Sequence, residues 1–338
     1  MNKNIVFTAP SVTVLEDRAI PQLGDNDVLV KTAFTCISSG TERANLLGNA
    51  NVNISSREKE EKPVYPRRSG YSASGTVEAV GKNVKTVKVG DRVCASWSVH
   101  AQYFCVPEKQ VYKLPDNVSF EDAAFVHISI FPLAAIRKTG LEAGESAIVM
   151  GMGILGLVAV RLLKAAGAVP IIAVDPSPEK REKAMGLGAD HVFDPFDPDF
   201  EQKVKAVTNG GVKCAIEVTG NGKALDQVLD CMAKFGRVAL LGCTRNSDFT
   251  IDYYRKVHGP GITMIGAHTL ARPALESSRG WWTQRDDAEC VVRMLSYGRI
   301  SFADTVDETH SPLDAVKVYE RLATEKVFPI VQFDWNKV

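Results

Sequence analysis

The 338-residue sequence lacks an excess of either charge. Lys plus Arg (40) equals Asp plus Glu (40), so nothing global draws the chain to a phosphate backbone or an anionic lipid surface. A nucleic-acid partner and a membrane-surface partner are both excluded on that ground. Long hydrophobic runs are missing as well. No stretch approaches the roughly 20 apolar residues of a membrane span, and the opening MNKNIVFTAP has only Ile5-Val6-Phe7 in place of a signal-peptide core. The expectation is a cytoplasmic protein. Paired cysteines are also lacking: Cys36, Cys94, Cys105, Cys214, Cys231, Cys243 and Cys290 lie singly, with no C-x-x-C, as reduced thiols used mainly in packing would. Internal repeats are absent too. What is present is an ordinary globular composition, 45% hydrophobic and 24% charged, in a chain long enough for two domains at about 150 residues each.

Two textures divide the chain. Up to about residue 120, short β-like runs (DVLVKTAF, SGYSASGTVEAVGKNV, VKVGDRVCA, QYFCVP, VYKLP) alternate with Gly, Pro, Asn and Asp turn signals. From about 145 to 268, six almost wholly apolar runs (SAIVM, VPIIAVD, HVFD, KCAIEV, RVALLG, ITMIGAH) alternate with helical patterns, which fits a six-stranded parallel sheet buried on both faces. The first helix carries a stripe at Leu155, Val158, Ala159, Leu162, Leu163 and Ala166. The second starts at Ser177-Pro178-Glu179, a hydroxyl N-cap, a first-turn proline and an acid. Helical patterns at DDAECVVRMLSYG and SPLDAVKVYERLATE and a strand-like FPIVQFDW form a tail expected to return to the first domain. The charge run Arg57 to Lys62 reads as a solvated loop.

Gly151-Met152-Gly153-Ile154-Leu155-Gly156 is a G-x-G-x-x-G that follows one of the apolar runs and opens the first helix. In that setting Gly151 permits the turn and Gly153 admits a pyrophosphate to backbone N–H groups. Gly156 lets helix and strand approach, and the helix N-terminus favours the anion. Asp175 ends the next run 24 residues after Gly151, near the ~20 expected of the acid that binds adenosine ribose hydroxyls. A carboxylate there repels a 2′-phosphate, and Pro176, Ser177 and Pro178 offer nothing to neutralise one. NAD is therefore expected over NADP, with Lys180 and Arg181 the nearby cations that argue the other way.

The motifs G-Y-S-A-S-G-T-V-E-A-V-G (70–81), V-G-D-R-V (89–93), the 151–156 loop and D-P-S-P-E-K-R-E-K-A-M-G-L-G-A-D (175–190) occur in the order found in the medium-chain dehydrogenase/reductase superfamily. The chain resembles that family, the zinc alcohol and polyol dehydrogenases and their zinc-free relatives, over nearly its whole length. The resemblance implies an α/β protein with a discontinuous GroES-like catalytic domain, residues 1–125 and 270–338. This would flank a doubly wound Rossmann domain, 126–269, with substrate and nicotinamide meeting in the interdomain cleft. It implies cofactor contacts at Gly151, Gly153, Ile154, Leu155, Gly156, Asp175, Thr219, Gly242 and His268. A homodimer or homotetramer is also implied, with the last Rossmann strand, Thr263 to His268, pairing between subunits.

The departures concern the metal. In zinc-dependent relatives the ligands come from C-G-T-D, from G-H-E, and from a later Cys or Glu. Here the matching stretches are S-G-T-E (39–42), G-Y-S (70–72) and the region of His127, so Ser39, Tyr71 and Ser72 replace the family's ligands. Zinc takes at least three thiolate, imidazole or carboxylate ligands, and only His127 and a displaced Cys36 remain. No catalytic zinc is expected, and Cys94 and Cys105 lack the neighbours of a structural zinc lobe.

Without a metal, side-chain donors must polarise the substrate and carry the proton. Tyr71 and His127 are the leading candidates, followed by Thr41 at the family's hydroxyl-relay position, with Ser39 and Glu42. Each has a plainer reading. His127 is also a candidate core histidine, Tyr71 a filler of vacated metal volume, and Glu42 half of an ion pair with Arg43. Trp281-Trp282 reads equally as a substrate mouth or as subunit packing. The expected activity is hydride transfer between NAD(H) and a secondary alcohol or ketone, with sugar-derived substrates among the candidates. The alternatives are NAD(P)H-dependent reduction of an enone C=C bond and a catalytically silent dinucleotide-binding redox sensor.

Overall fold

The computed structural model describes residues 1–52 and 62–338. The charge run at 57–62 therefore lies, apart from Lys62, outside the described residues. The chain divides into two compact units, residues 1–128 with 288–338, and residues 129–287. The returning tail joins the first unit as its texture suggests. The segment 270–287, which the resemblance assigns to the first domain, clusters instead with the second. A buried carboxylate explains this: Asp287 accepts from Arg137 at 2.8 Å and from Arg272 at 2.5 Å, and Arg272 also donates to the Ile130 carbonyl. Breaking such a buried pair costs several kcal/mol, roughly 3–5, so the segment is held where its partners are.

The first unit opens with β1 (Asn2–Ala9), β2 (Val12–Arg18), β3 (Asp27–Cys36) and helix α1 (Ser39–Leu46). β4 (Arg67–Arg68), β5 (Ser72–Val80), β6 (Arg92–Ser96), β7 (Tyr103–Pro107), β8 (Val111–Lys113) and α2 (Phe120–Ala123) follow. Helix α3 (Val126–Thr139) leads into the second unit. There β9 (Ala147–Met150), α4 (Ile154–Ala166), β10 (Ile171–Val174), α5 (Pro178–Leu187), β11 (His191–Phe193), α6 (Phe200–Val207), β12 (Val212–Glu217), α7 (Gly222–Asp230), β13 (Met232–Leu240) and β14 (Thr263–Gly266) alternate. Helix α8 (Gln284–Ser296) leads back, and β15 (Glu308–His310), α9 (Ala315–Thr324) and β16 (Val331–Asp334) complete the first unit.

In the first unit a seven-stranded sheet runs β15-β16-β3-β5-β6-β8, with β7 also pairing β3, and a smaller sheet runs β2-β1-β4. One core lies between β3, β5, β6 and β7, with Val30, Ala73, Val93 and Phe104 at its centre. A second packs Phe7, Ile37, Tyr319, Phe333 and Trp335, so the C-terminal helix and strand complete it.

The second unit meets the expectation of a six-stranded parallel sheet, in the order β11-β10-β9-β12-β13-β14. α5 starts as its sequence demands, with the Ser177 hydroxyl accepting from the Lys180 N–H and Pro178 in the first turn. α4 departs from the simple stripe. Leu155 is only half-buried and Ala166 is exposed, while Leu157 and Val160 are buried. The helix packs against β9, β10 and α5, so its covered arc is wider than one sheet-facing stripe and is displaced from it.

Candidate functional site

The second unit gathers its candidate residues at one edge of its sheet. Gly151 follows β9, Asp175 follows β10, Thr219 follows β12, Gly242 follows β13 and His268 follows β14, so all five lie just beyond the carboxyl ends of parallel strands. The sheet changes direction between β9 and β12, and this edge is where open α/β sheets take ligands. Gly151 has φ +102°, a left-handed conformation that only glycine holds cheaply. A Cβ on Gly156 would stand 1.8 Å from the Gly151 carbonyl oxygen, so helix and turn approach closely only because it is glycine. Gly153 is the N-cap of α4, with no side chain and open space where a Cβ would be, and Ile154 and Leu155 begin the helix beside it. The residues present fit a dinucleotide.

Asp175 is buried, and both of its carboxylate oxygens are engaged: Oδ2 accepts from the Met152 N–H at 2.8 Å and Oδ1 from the Ser177 N–H at 2.9 Å. Arg181, one of the two cations that argue for NADP, is tethered. Its guanidinium donates to the Asp175 and Pro176 carbonyls at 2.7 and 2.9 Å and lies 3.3 Å from the Asp194 carboxylate. Sequence reasoning missed Glu217, buried at the end of β12, whose carboxylate takes the Thr219 N–H at 2.7 Å and the Gly220 N–H, although burial raises its pKa. Gly242 donates to the Glu217 carbonyl, and His268 accepts from the Leu270 N–H at 3.2 Å. Burial, with Lys138 nearby, lowers the His268 pKa. Trp281 and Trp282 stack under Lys138 (4.6 Å) and Arg137 (3.5 Å) of α3, within this unit.

In the first unit the register of β5 and β6 builds the second constellation. Ser72 pairs with Ser96, so the residues just outside the ladder, Tyr71 and Trp97, are neighbours, and the Trp97 N–H donates to the Tyr71 carbonyl at 2.8 Å. His127, the second residue of α3, lies edge-on to both rings, 5.5 Å from Tyr71 and 4.7 Å from Trp97 between centroids. The Tyr71 phenol donates to the Ser38 hydroxyl, at the N-cap of α1. Trp97, missed by sequence reasoning, has φ +59° and is 38% exposed. A bulky residue held in that conformation stores strain, and such strain clusters at ligand-facing positions.

The expected candidates separate by burial. Tyr71 is half-buried, as are Ser39 and Thr41 in the first turn of α1. His127 is only 1% exposed, beneath the two rings, which favours the core reading. Glu42 needs correction on both counts. Its carboxylate is buried and fully engaged elsewhere, accepting from the Ser38 N–H at 2.8 Å, the Ser69 hydroxyl at 2.7 Å, the Tyr319 hydroxyl, and His100 Nε2 at 3.1 Å. Burial alone would raise its pKa, but His100, Tyr319 and Ser69 outweigh burial and hold it below the ordinary range. Nor does it pair with Arg43, whose guanidinium donates to the Leu322 and Glu325 carbonyls.

The donor set does not fit a zinc ion. Ser72 donates to the Ala124 carbonyl, the Cys36 sulfur receives Gln332 at 3.1 Å with its thiol pKa raised by burial, and the Glu42 oxygens are taken. Among the described residues no three His, Cys, Asp or Glu side chains are grouped to hold a metal.

Comparison with known proteins agrees with the division of the chain. Residues 24–116 match the family model described as an alcohol dehydrogenase GroES-like domain, and residues 155–278 match that of a zinc-binding dehydrogenase. The chain is 30% identical to an L-threonine 3-dehydrogenase of Caldanaerobacter subterraneus over 282 residues, covering 74% of this chain and 78% of that enzyme. It is 35% identical to the (R,R)-butanediol dehydrogenase of Bacillus subtilis over 202 residues, 52% of this chain and only 58% of the enzyme's length. The crystal structure of 2R,3R-butanediol dehydrogenase from Bacillus subtilis superposes with a TM-score of 0.81 at 25% identity, covering 99% of both chains.

Proposed function

The chain belongs to the zinc-type medium-chain alcohol/polyol dehydrogenase family, an NAD(P)-dependent oxidoreductase lineage, and from that membership we propose that it interconverts a secondary alcohol and a ketone with NAD(H) and without a catalytic zinc. One observation carries the reading: at the position of the family's histidine ligand stands a half-buried phenol, Tyr71, oriented by Ser38 and flanked by Trp97 and His127. The nicotinamide, when bound, supplies or accepts the hydride. Tyr71 handles the proton at the substrate oxygen, His127 packs behind it, and Trp97 offers an aromatic face. Such a face suits the C–H side of a polyol or sugar ring.

Asp175 favours NAD, since its carboxylate would stand against a 2′-phosphate, and the tethered Arg181 supports the same preference. The relatives named for butanediol and threonine act on secondary alcohols beside another polar group, which is the substrate class proposed here. An oligomer paired through β14 is supported by that strand's place at the sheet edge. Cytoplasmic residence is supported by seven free cysteines, and no helix among the described residues is long and apolar enough to cross a membrane.

The test is a panel of 2,3-butanediol, L-threonine, sorbitol, a methyl glucoside and cyclohexenone, followed by NADH and NADPH absorbance. NAD-linked turnover of a secondary alcohol is expected, with Tyr71→Phe lowering kcat by about a hundredfold or more and His127→Gln by less. Turnover of cyclohexenone alone, no turnover at all, or an unimpaired Tyr71→Phe would each overturn the reading.

A further inference from the structure

Ser38 occupies an N-cap without performing the usual task of one. An N-cap hydroxyl ordinarily accepts from a first-turn N–H, and in a capping box an acid from the first turn reaches back to the cap's own N–H. Only a counterpart of the second half is made here, by the residue one position beyond the usual one. Glu42 Oε1 accepts from the Ser38 N–H at 2.8 Å, while the Ser38 hydroxyl caps nothing. That hydroxyl is turned to the Tyr71 phenol instead.

Glu42 is itself immobilised. Its other oxygen takes Ser69, just after β4, and Tyr319, of α9. His100, ahead of β7, contacts both oxygens, at 3.1 and 3.3 Å. His100 Nδ1 lies 2.7 Å from the Thr35 hydroxyl, which also accepts from Trp335 Nε1 at 2.9 Å. Three separate stretches of the first unit thus converge on one carboxylate, two more hold His100 from behind through Thr35 and Trp335, and the carboxylate's remaining contact is the backbone that carries the Ser38 hydroxyl. The network is deeply buried, with Glu42 2% and His100 0% exposed, so its geometry is not open to solvent competition.

The geometry points to Ser38 as the positioning residue for Tyr71, with the Glu42–His100 pair as the clamp that fixes Ser38. The inference rests on the assignment of proton transfer to Tyr71 made above. In ketone reduction a hydride from the reduced nicotinamide forms the new C–H bond at the carbonyl carbon, the Tyr71 O–H bond breaks and its proton joins the carbonyl oxygen, and a phenolate remains until it takes a proton back from water. Alcohol oxidation runs the same steps backwards. The Ser38 hydroxyl accepts from the phenol at rest and rotates to donate to the phenolate, a hydrogen bond that strengthens as charge develops. An interaction that grows toward the transition state acts on kcat and leaves substrate binding nearly alone.

The experiment uses the full chain with NAD⁺ and the panel alcohol of highest rate, comparing Ser38→Ala, Ser38→Thr, Tyr71→Phe and the Ser38→Ala/Tyr71→Phe double variant, each checked by thermal unfolding. Ser38→Ala should lower kcat by about ten- to a hundredfold, as expected for losing a hydrogen bond to a charged group, with KM nearly unchanged. Ser38→Thr should restore most of the rate, and in the Tyr71→Phe background Ser38→Ala should cost nothing further. An unimpaired Ser38→Ala beside a slow Tyr71→Phe overturns the positioning role and leaves the reading of Tyr71 standing. So does an equal loss from Ser38→Ala in both backgrounds, the signature of a merely structural role. An unimpaired Tyr71→Phe, or no turnover of any panel alcohol, overturns both.

Discussion

In the second unit the candidate cofactor residues directly follow strand ends or open the helix after one, and the features they offer are largely backbone: a turn at Gly151, N–H groups at the start of α4, and a carboxylate at Asp175 that braces the same turn. In the first unit Ser38, Tyr71, Trp97 and His127 come from four stretches, and Glu42 is satisfied by Ser69, His100 and Tyr319, the last 277 residues away. A site made of backbone needs specific residue types at fixed short spacings. A site made of side chains needs only that the fold bring them together, so its residue types leave no fixed short spacing in the sequence.

The comparison can be broken first at Glu42. Glu42→Ala leaves four buried donors without their acceptor, and a loss of about 3–5 kcal/mol in the stability of the first unit is expected, measured by denaturant unfolding. Because the folded-state pKa of Glu42 is held below its ordinary 4.5, its contribution is complete above that pH and is lost as pH falls through the folded value. The gap between variant and unaltered protein should therefore narrow in acid. A gap that widens there would contradict the charged, clamped carboxylate.

A smaller effect is expected in the backbone-built site. Gly156→Ala drives a Cβ into the Gly151 carbonyl, costing about 1–3 kcal/mol of overpacking, with NADH affinity falling as the turn is displaced. Unchanged NADH affinity by fluorescence titration would remove the turn from the binding site. The smallest effect is at Asp175, where Asp175→Asn keeps one acceptor and removes the charge. NADH should bind about tenfold more weakly, roughly 1.4 kcal/mol, and discrimination against NADPH should shrink. Tighter binding of NADPH than NADH by the unaltered protein would contradict the role given to the carboxylate.

The contrast also explains what the sequence made legible. The six parallel strands, the start of α5 and the 151–156 loop were readable because periodicity, capping and glycine spacing are local signals. Asp175 stands out because it directly follows the next strand. Tyr71 stands out in the sequence only through its place in a family motif. Trp97, Ser38 and His100 carried no local sign, since β5–β6 register and a carboxylate contact define them. Glu42 misled because a first-turn acid beside Arg43 resembles a local ion pair, while its partners lie far along the chain. The boundary at 269/270 missed the buried Asp287, whose partners Arg137 and Arg272 tie the segment to α3.

The central claim is that a phenol, held by a serine, has taken over the proton chemistry that relatives assign to zinc. Its most direct test is turnover of the best panel alcohol before and after exhaustive chelation, with zinc measured in the same samples. The account predicts an unchanged rate at zinc contents far below one per chain. A rate that falls with the zinc and returns when zinc is restored would contradict it.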